Sequence, residues 1–209
     1  MRTYRVAQGT PLAALWRPKS EGNLKNLWYG SSDLPLTELG RHQARQAGEK
    51  LREIDLPVCY VSPLIRARDT ADLVLEGRAV PQIIEPDLRE QHMGLFEPKT
   101  VQEIQAEDPD FYRALMADWV HICPPEGEPY DTSLAPRVAA VLDRIVKKGE
   151  DCLIVAHNGP LVFAISYLLG LPIEAAGRFY LKQGCFSMIE IDKEGIYNPS
   201  HALLRYYNV

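Results

Sequence analysis

The chain has 209 residues, with 23 basic and 28 acidic side chains and a formal net charge of −5. That length suits one domain whose core stands without staples, and the mild acidity argues against nucleic-acid or membrane partners held by a global field. The four cysteines (Cys59, Cys123, Cys152, Cys185) form no C-x-x-C pair and the five histidines (His42, His92, His121, His157, His201) show no metal-ligand spacing, so reduced thiols in a cytoplasmic protein are expected, with no metal, cofactor, signal peptide or membrane span.

In chain order, Met1 to Gly9 reads as a short half-polar strand with Tyr4 and Val6 as its apolar members. From Thr10 to Ser32 no period holds, and Pro11, Pro18, Gly22 and Gly30 punctuate what reads as a long loop, of a length more often functional or mobile than idle. Thr37 is placed to cap a helix carrying Leu39, Ala44, Ala47 and Leu51 and ending near Asp55. Val58 to Val61 is a buried strand ending at Ser62-Pro63, and Leu64 to Glu76 returns to helical spacing through Ala67, Ala71 and Val74. Gln82 to Ile84 makes another strand, followed by the polar connection Leu88 to Gly94.

Lys99 to Trp119 carries helical pieces broken at Pro109, and residues 95–130 are expected to form a lid or insert within a single domain, 1–209. Pro124 to Pro129 is loop, and Ala135 to Lys148 is a helix with Val138, Val141, Leu142 and Ile145 on one face. The apolar run Cys152 to Ala156 ends in His157-Asn158-Gly159-Pro160 and passes into a helical pattern, so it reads as strand, tight turn and helix. Cys185 to Ile191 and Leu203 to Tyr207 are strands, the first followed by a turn at Asp192 to Gly195. Alternating strand and helix predict an α/β sandwich with a largely parallel sheet.

On this grammar His157 lies at the carboxyl end of a central strand, the edge where open α/β sheets bind ligands beside helix N-termini. A bland alternative is a helix cap or a satisfied hydrogen bond. Arg66, four residues after Ser62 in the first turn of a helix, could fork onto a phosphate or carboxylate, or be a surface arginine like Arg68 and Arg89. Glu90 in a strand-exit loop suits a general acid or a solvated carboxylate, and His92 could line the same mouth.

Together these residues carry a family resemblance. Gly9, then Gly30-x-x-Asp33-x-Pro35-Leu36-Thr37-Glu38-x-Gly40-x-x-Gln43-Ala44, then Ser62-Pro63-Leu64-x-Arg66-Ala67-x-x-Thr70-Ala71, then Leu88-x-Glu90 with Gly94, then His157-Asn158-Gly159 resemble the phosphoglycerate-mutase-like branch of the histidine phosphatase superfamily over nearly the whole chain. The resemblance implies a three-layer α/β/α fold with a phosphate pocket at the carboxyl edge of the sheet. In it Arg66 and His157 would hold the transferring phosphoryl group, Gly9 and Asn158 would lie among the anion-binding positions, and Glu90 would protonate the leaving oxygen.

The family opens with Arg-His-Gly after the first strand, its His the nucleophile, and the matching positions are read here as Ala7, Gln8 and Gly9. An amide cannot form a comparable phosphoryl intermediate, and losing a covalent nucleophile can cost on the order of 10⁶ in rate. Arg5, two residues before Ala7 on the same face of a strand, is one candidate replacement cation, and Lys19 and Lys25 are others. Three readings follow for a partner that is a small anionic, phosphorylated metabolite: a repurposed enzyme using acid/base chemistry without phosphohistidine, a noncatalytic binding module, or a phosphomonoesterase with a substitute nucleophile such as His92. Homo-oligomerisation is compatible with each of these readings.

Overall fold

A computed structural model describes residues 12–16 (as backbone), 19–191 and 202–209. Its central sheet runs in the order β4-β3-β6-β1-β7-β8, from β1 (Leu12–Trp16), β3 (Val58–Val61), β4 (Gln82–Ile84), β6 (Cys152–Val155), β7 (Phe186–Ile191) and β8 (Ala202–Tyr206). The four strands β4, β3, β6 and β1 are parallel, and β7 and β8 add an antiparallel edge. Every residue of β3 and β6 is buried, as their continuous apolar runs require of strands covered on both faces.

Helices cover both faces. α2 (Glu38–Lys50) and α3 (Ile65–Val74) pack Ala44, Ala47, Ala67 and Ala71 against Cys59, Val61, Leu153 and Val155. On the other face α6 (Ala135–Lys148) and α7 (Asn158–Leu168) bury Val138, Val141, Leu142, Leu161 and Ile165 against Tyr60, Ile154 and Ile189. Each such aliphatic side chain contributes about 1.5–3 kcal/mol through burial. Thr37 caps α2 by accepting the Gly40 N–H at 2.9 Å, and α6 stops at Gly149, whose φ of 71° suits a glycine C-cap.

A small third core joins Phe96, Ile104 and Leu115, with Trp28, Phe111 and Trp119 packed against it. It lies between α4 (Val101–Glu107), α5 (Pro109–Ala117) and the two-stranded ribbon of β2 (Leu27–Trp28) and β5 (Lys99–Thr100). Pro109 opens α5 rather than merely interrupting a helix, and Asp108 caps it by accepting the Phe111 N–H at 2.9 Å.

The expected structureless loop from Thr10 to Ser32 is corrected: it contains β1, the short α1 (Glu21–Leu24) and β2. β1 has both edges filled, pairing parallel with β6 and antiparallel with β7. The strand expected at Met1 to Gly9 and the turn at Asp192 to Gly195 lie outside the described residues. The helix expected to end near Asp55 stops at Lys50, beyond which turns bury Leu51 and Ile54.

Candidate functional site

β3 and β6 are in parallel register with Val61 opposite Val155, so both chains leave the sheet at the same edge. The Ser62 N–H donates to the Val155 carbonyl at 2.9 Å, which ties the two exits together. His157 occupies the N-cap position of α7, but its side chain makes no cap bond. Instead its Nδ1 accepts the Arg66 Nε–H at 3.2 Å, and its Nε2 lies 2.7 Å from Ser62 Oγ. Because a guanidinium can only donate, Nδ1 must carry the lone pair and Nε2 the proton, which then points at the serine oxygen. All three side chains are buried, with His157 and Arg66 each 4% exposed.

Arg66 is the second residue of α3 and is held on three sides. Its Nη1 donates to the Ser32 carbonyl at 2.9 Å, its Nη2 to the Gly30 carbonyl at 2.8 Å, and its guanidinium carbon stands 4.9 Å from the centre of the Tyr29 ring. Burial pulls its pKa down, opposed by Glu90, Tyr29, Asp33 and Glu97, and a guanidinium so surrounded stays cationic. The turn can approach this closely because residue 30 is glycine. A Cβ there would fall 1.6 Å from the Gln91 carbonyl oxygen.

Glu90 enters from the connection after β4. Its carboxylate accepts the Gly159 N–H at 3.1 Å and the Gln91 N–H at 3.0 Å, which fixes it against the first turn of α7. A side chain on Gly159 would collide with it, a Cβ lying 2.6 Å from Glu90 Oε1. The Glu90 backbone is anchored by Arg137 of α6, whose Nη2 donates to its carbonyl at 3.3 Å and whose Nη1 donates to the Asp87 carbonyl. Arg137 also grips Glu128 with two bonds, at 2.7 and 2.8 Å. The Tyr130 hydroxyl, in the π-helical turn Tyr130–Leu134, donates to the Gly159 carbonyl at 3.1 Å.

A cavity of about 310 Å³ is lined by Arg66, Glu90, His157, Asn158 and Gly159 together with Leu27, Trp28, Tyr29, Met93 and Trp119. A second hollow of about 170 Å³, bounded by Trp28, Gln91, Met93, Leu115, Met116, Trp119 and Pro124, shares four residues with it. The cavity therefore joins a cationic corner to an aromatic wall. It could hold an anion against Arg66 and α7 while a flat apolar group rests on Trp28 and Trp119.

The structure thus brings together Arg66, Glu90, His157 and Asn158 as expected, and it does not bring in His92. That side chain is exposed, its Nδ1 accepting the Gly94 N–H at 3.2 Å. Lys25 is exposed at the C-cap of α1 and Lys19 does not line the cavity. Arg5, Ala7, Gln8 and Gly9 lie outside the described residues. The strand beside β6 ends at Trp16, and the next residues in sequence are Arg17 and Pro18. Sequence reasoning missed Trp28, Tyr29, Met93 and Trp119, and missed Arg137 and Glu128, which act at long range; an aromatic cluster at Trp28-Tyr29 beside Gly30 was the one available signal. Among the described residues no group of acidic, His or Cys side chains is placed to hold a metal, and no helix is long and apolar enough to cross a membrane.

The profile of the histidine phosphatase superfamily, branch 1, matches residues 18–201. The chain is 38% identical over 176 residues to an adenosylcobalamin/alpha-ribazole phosphatase of Salmonella typhimurium, covering 83% of this chain and 86% of that protein. It is 31% identical over 192 residues to a probable phosphoglycerate mutase of Erwinia tasmaniensis, covering 91% and 85%. Its fold superposes on the crystal structure of the alpha-ribazole phosphatase from Shigella flexneri with a TM-score of 0.84 at 32% identity, over 95% of this chain and 96% of that one.

Proposed function

The chain belongs to the histidine phosphatase superfamily, branch 1, and from that premise we propose that it binds a small phosphorylated metabolite in the Arg66–His157 cavity, with a flat apolar group of the ligand on the aromatic wall. The observation that carries this reading is one buried cation, Arg66, presented beside the first turn of α7 at the end of a cavity walled by Trp28, Tyr29 and Trp119. Its three side-chain bonds use three of its five N–H donors, which leaves two to meet phosphate oxygens. The wall favours a ligand such as the alpha-ribazole phosphate suggested by the relatives' names over a short polar acid, which would leave the aromatic surfaces bare.

The reaction, on this proposal, does not pass through a phosphohistidine on the first strand, because no histidine precedes His42. His157 is not a free base either: one nitrogen accepts from Arg66, and the other faces Ser62. Its role is that of a partner that orients Arg66 toward the anion. Glu90 is the proton carrier. Hydrolysis would then be direct, with a water oxygen attacking phosphorus as the ester P–O bond breaks. The leaving oxygen takes a proton from the Glu90 carboxyl, and the attacking water returns one. A second reading, a binding module without turnover, is supported by that same missing histidine.

Calorimetric titration with alpha-ribazole 5′-phosphate, 3-phosphoglycerate and inorganic phosphate tests the binding proposal. The ribazole ester is expected to bind tightest, and Arg66→Ala to weaken all three by at least about tenfold through loss of a charge-assisted pair. Equal binding by wild type and Arg66→Ala would remove Arg66 from the site. In base-quenched reactions with radiolabelled ester no base-stable, acid-labile phosphoprotein is expected; finding one would overturn the direct route. Release of inorganic phosphate that is lost in Glu90→Gln separates the enzyme from the binding module.

A further inference from the structure

We propose that Glu97 is a positioning residue for Arg66, acting across the Gly30–Ser32 turn and tying the 95–130 segment to the anion corner of the cavity. The proposal rests on the reading of Arg66 as the anion ligand. Glu97 stands at the root of that segment, just before β5. Its carboxylate collects five donors: the Met93 N–H at 2.7 Å, the Ser31 N–H and hydroxyl at 3.0 and 3.1 Å, and the Ser32 N–H and hydroxyl, both at 2.9 Å.

The turn it grips is the one that holds Arg66. The Gly30 carbonyl and the Ser31 N–H belong to one peptide unit, whose oxygen accepts from Arg66 while its N–H donates to Glu97. That peptide is thus polarised between a guanidinium and a carboxylate, an arrangement in which each hydrogen bond strengthens the other. The Ser32 carbonyl accepts a second N–H of Arg66, and Ser32 is fixed to Glu97 by its own N–H and hydroxyl. Burial disfavours the Glu97 anion, but the bonds from Met93, Ser31 and Ser32 outweigh it and hold its pKa below the ordinary carboxylate value. The charge is therefore present throughout the neutral range. Without it, five donors lose their acceptor and the two carbonyls lose what fixes them, so Arg66 is free to swing away from His157 and the cavity.

The test compares the full chain with Glu97→Gln, Glu97→Asp and, as a control in the same segment, Thr100→Ala, which removes the cap of α4. Two readouts are taken. The first is the affinity for inorganic phosphate by calorimetry. The second is the Arg66 Nε–H signal in the ¹⁵N correlation spectrum, assigned by its loss in Arg66→Lys, with its exchange rate reporting the bond to His157. Glu97→Gln is expected to weaken phosphate binding about tenfold and to speed exchange of the Arg66 Nε–H, with partial recovery in Glu97→Asp and no change in Thr100→Ala. An Nε–H signal in Glu97→Gln identical to wild type would overturn the proposal, whatever the affinity. Failure of the wild type to bind phosphate would defeat the reading of the cavity, while the Nε–H signal would still decide the role of Glu97.

Discussion

Arg137 and Glu128 show how a residue remote from the cavity can govern it. Their side chains are 9% and 7% exposed and meet through two parallel bonds, and Arg137 spends its other donors on the carbonyls of Asp87 and Glu90. Removing one member strands a buried charge, so Arg137→Ala is expected to cost about 3–5 kcal/mol in urea unfolding. The same change frees the backbone that aims Glu90 at Gly159. Replacing both partners with apolar residues should cost far less in stability yet still loosen Glu90. Acid sensitivity has a definite sign here. Burial works against the Glu128 anion, but Arg137, Ser133 and Arg89 hold its pKa below the ordinary value, as Met93, Ser31 and Ser32 do for Glu97. Carboxyls with depressed folded pKa values stabilise above the unfolded value of about 4.3 and lose that contribution as pH falls through the folded one. Wild type should therefore lose stability steeply below about pH 4, and Glu97→Gln less steeply; parallel slopes in acid-dependent urea unfolding would contradict this.

Strand β1 decides where a nucleophile of the family's kind should be sought. It ends at Trp16, opposite Val155, and β6 leads on through Ala156 to His157, so the residue following β1 in sequence is Arg17. The double change Trp16→Arg, Arg17→His is accordingly expected to produce an acid-labile phosphoprotein with a phosphomonoester substrate, and Ala7→Arg, Gln8→His none; the reverse result in base-quenched labelling would restore the earlier register. Sequence missed this strand, within a stretch read as loop, for a physical reason. Leu12-Ala-Ala-Leu-Trp16 has low strand propensity at its two alanines and is bracketed by Pro11 and Pro18, so local punctuation hid a segment whose strand state comes from pairing on both edges. Where local signals agreed with tertiary demands the reading held. Val58 to Val61 and Cys152 to Val155 announced buried strands, Thr37 a cap, and Ala135 to Lys148 an amphipathic helix with the bounds observed. Arg66, Glu90 and His157 stood out in the sequence because each follows a strand exit, and the structure brings them to one edge of the sheet. The aromatic wall and the Arg137–Glu128 support did not stand out, since no period or spacing in the chain encodes contacts among β2, α5 and α6.

At the scale of the molecule, three cores of unequal size divide the labour. The two that sandwich the sheet are built on β3, β6, α2, α3, α6 and α7, whereas the third has, among the described residues, only Phe96, Ile104 and Leu115 as buried members, edged by aromatic contacts of Phe96 with Trp28 and Phe111 at 5.9 and 5.8 Å. A unit with so little buried apolar area should open well before the sheet does, since local stability follows buried contacts. Because that unit also supplies Met93 and Trp119 to the cavity and Glu97 to the turn under Arg66, its opening would expose the ligand and loosen the anion corner in one motion. Such an opening would make the segment a lid, and hydrogen exchange can measure it. Amides of α4 and α5 are expected to exchange through a sub-global opening of lower free energy than amides of β3 and β6, and saturating ligand should slow the first set by a factor near 1 + [L]/Kd. Phe111→Ala should accelerate exchange in 95–122 while leaving β3 and β6 unchanged. If the two sets instead exchanged with one common free energy, the 95–130 segment would be an integral part of the sandwich, and entry to the cavity would have to be sought elsewhere.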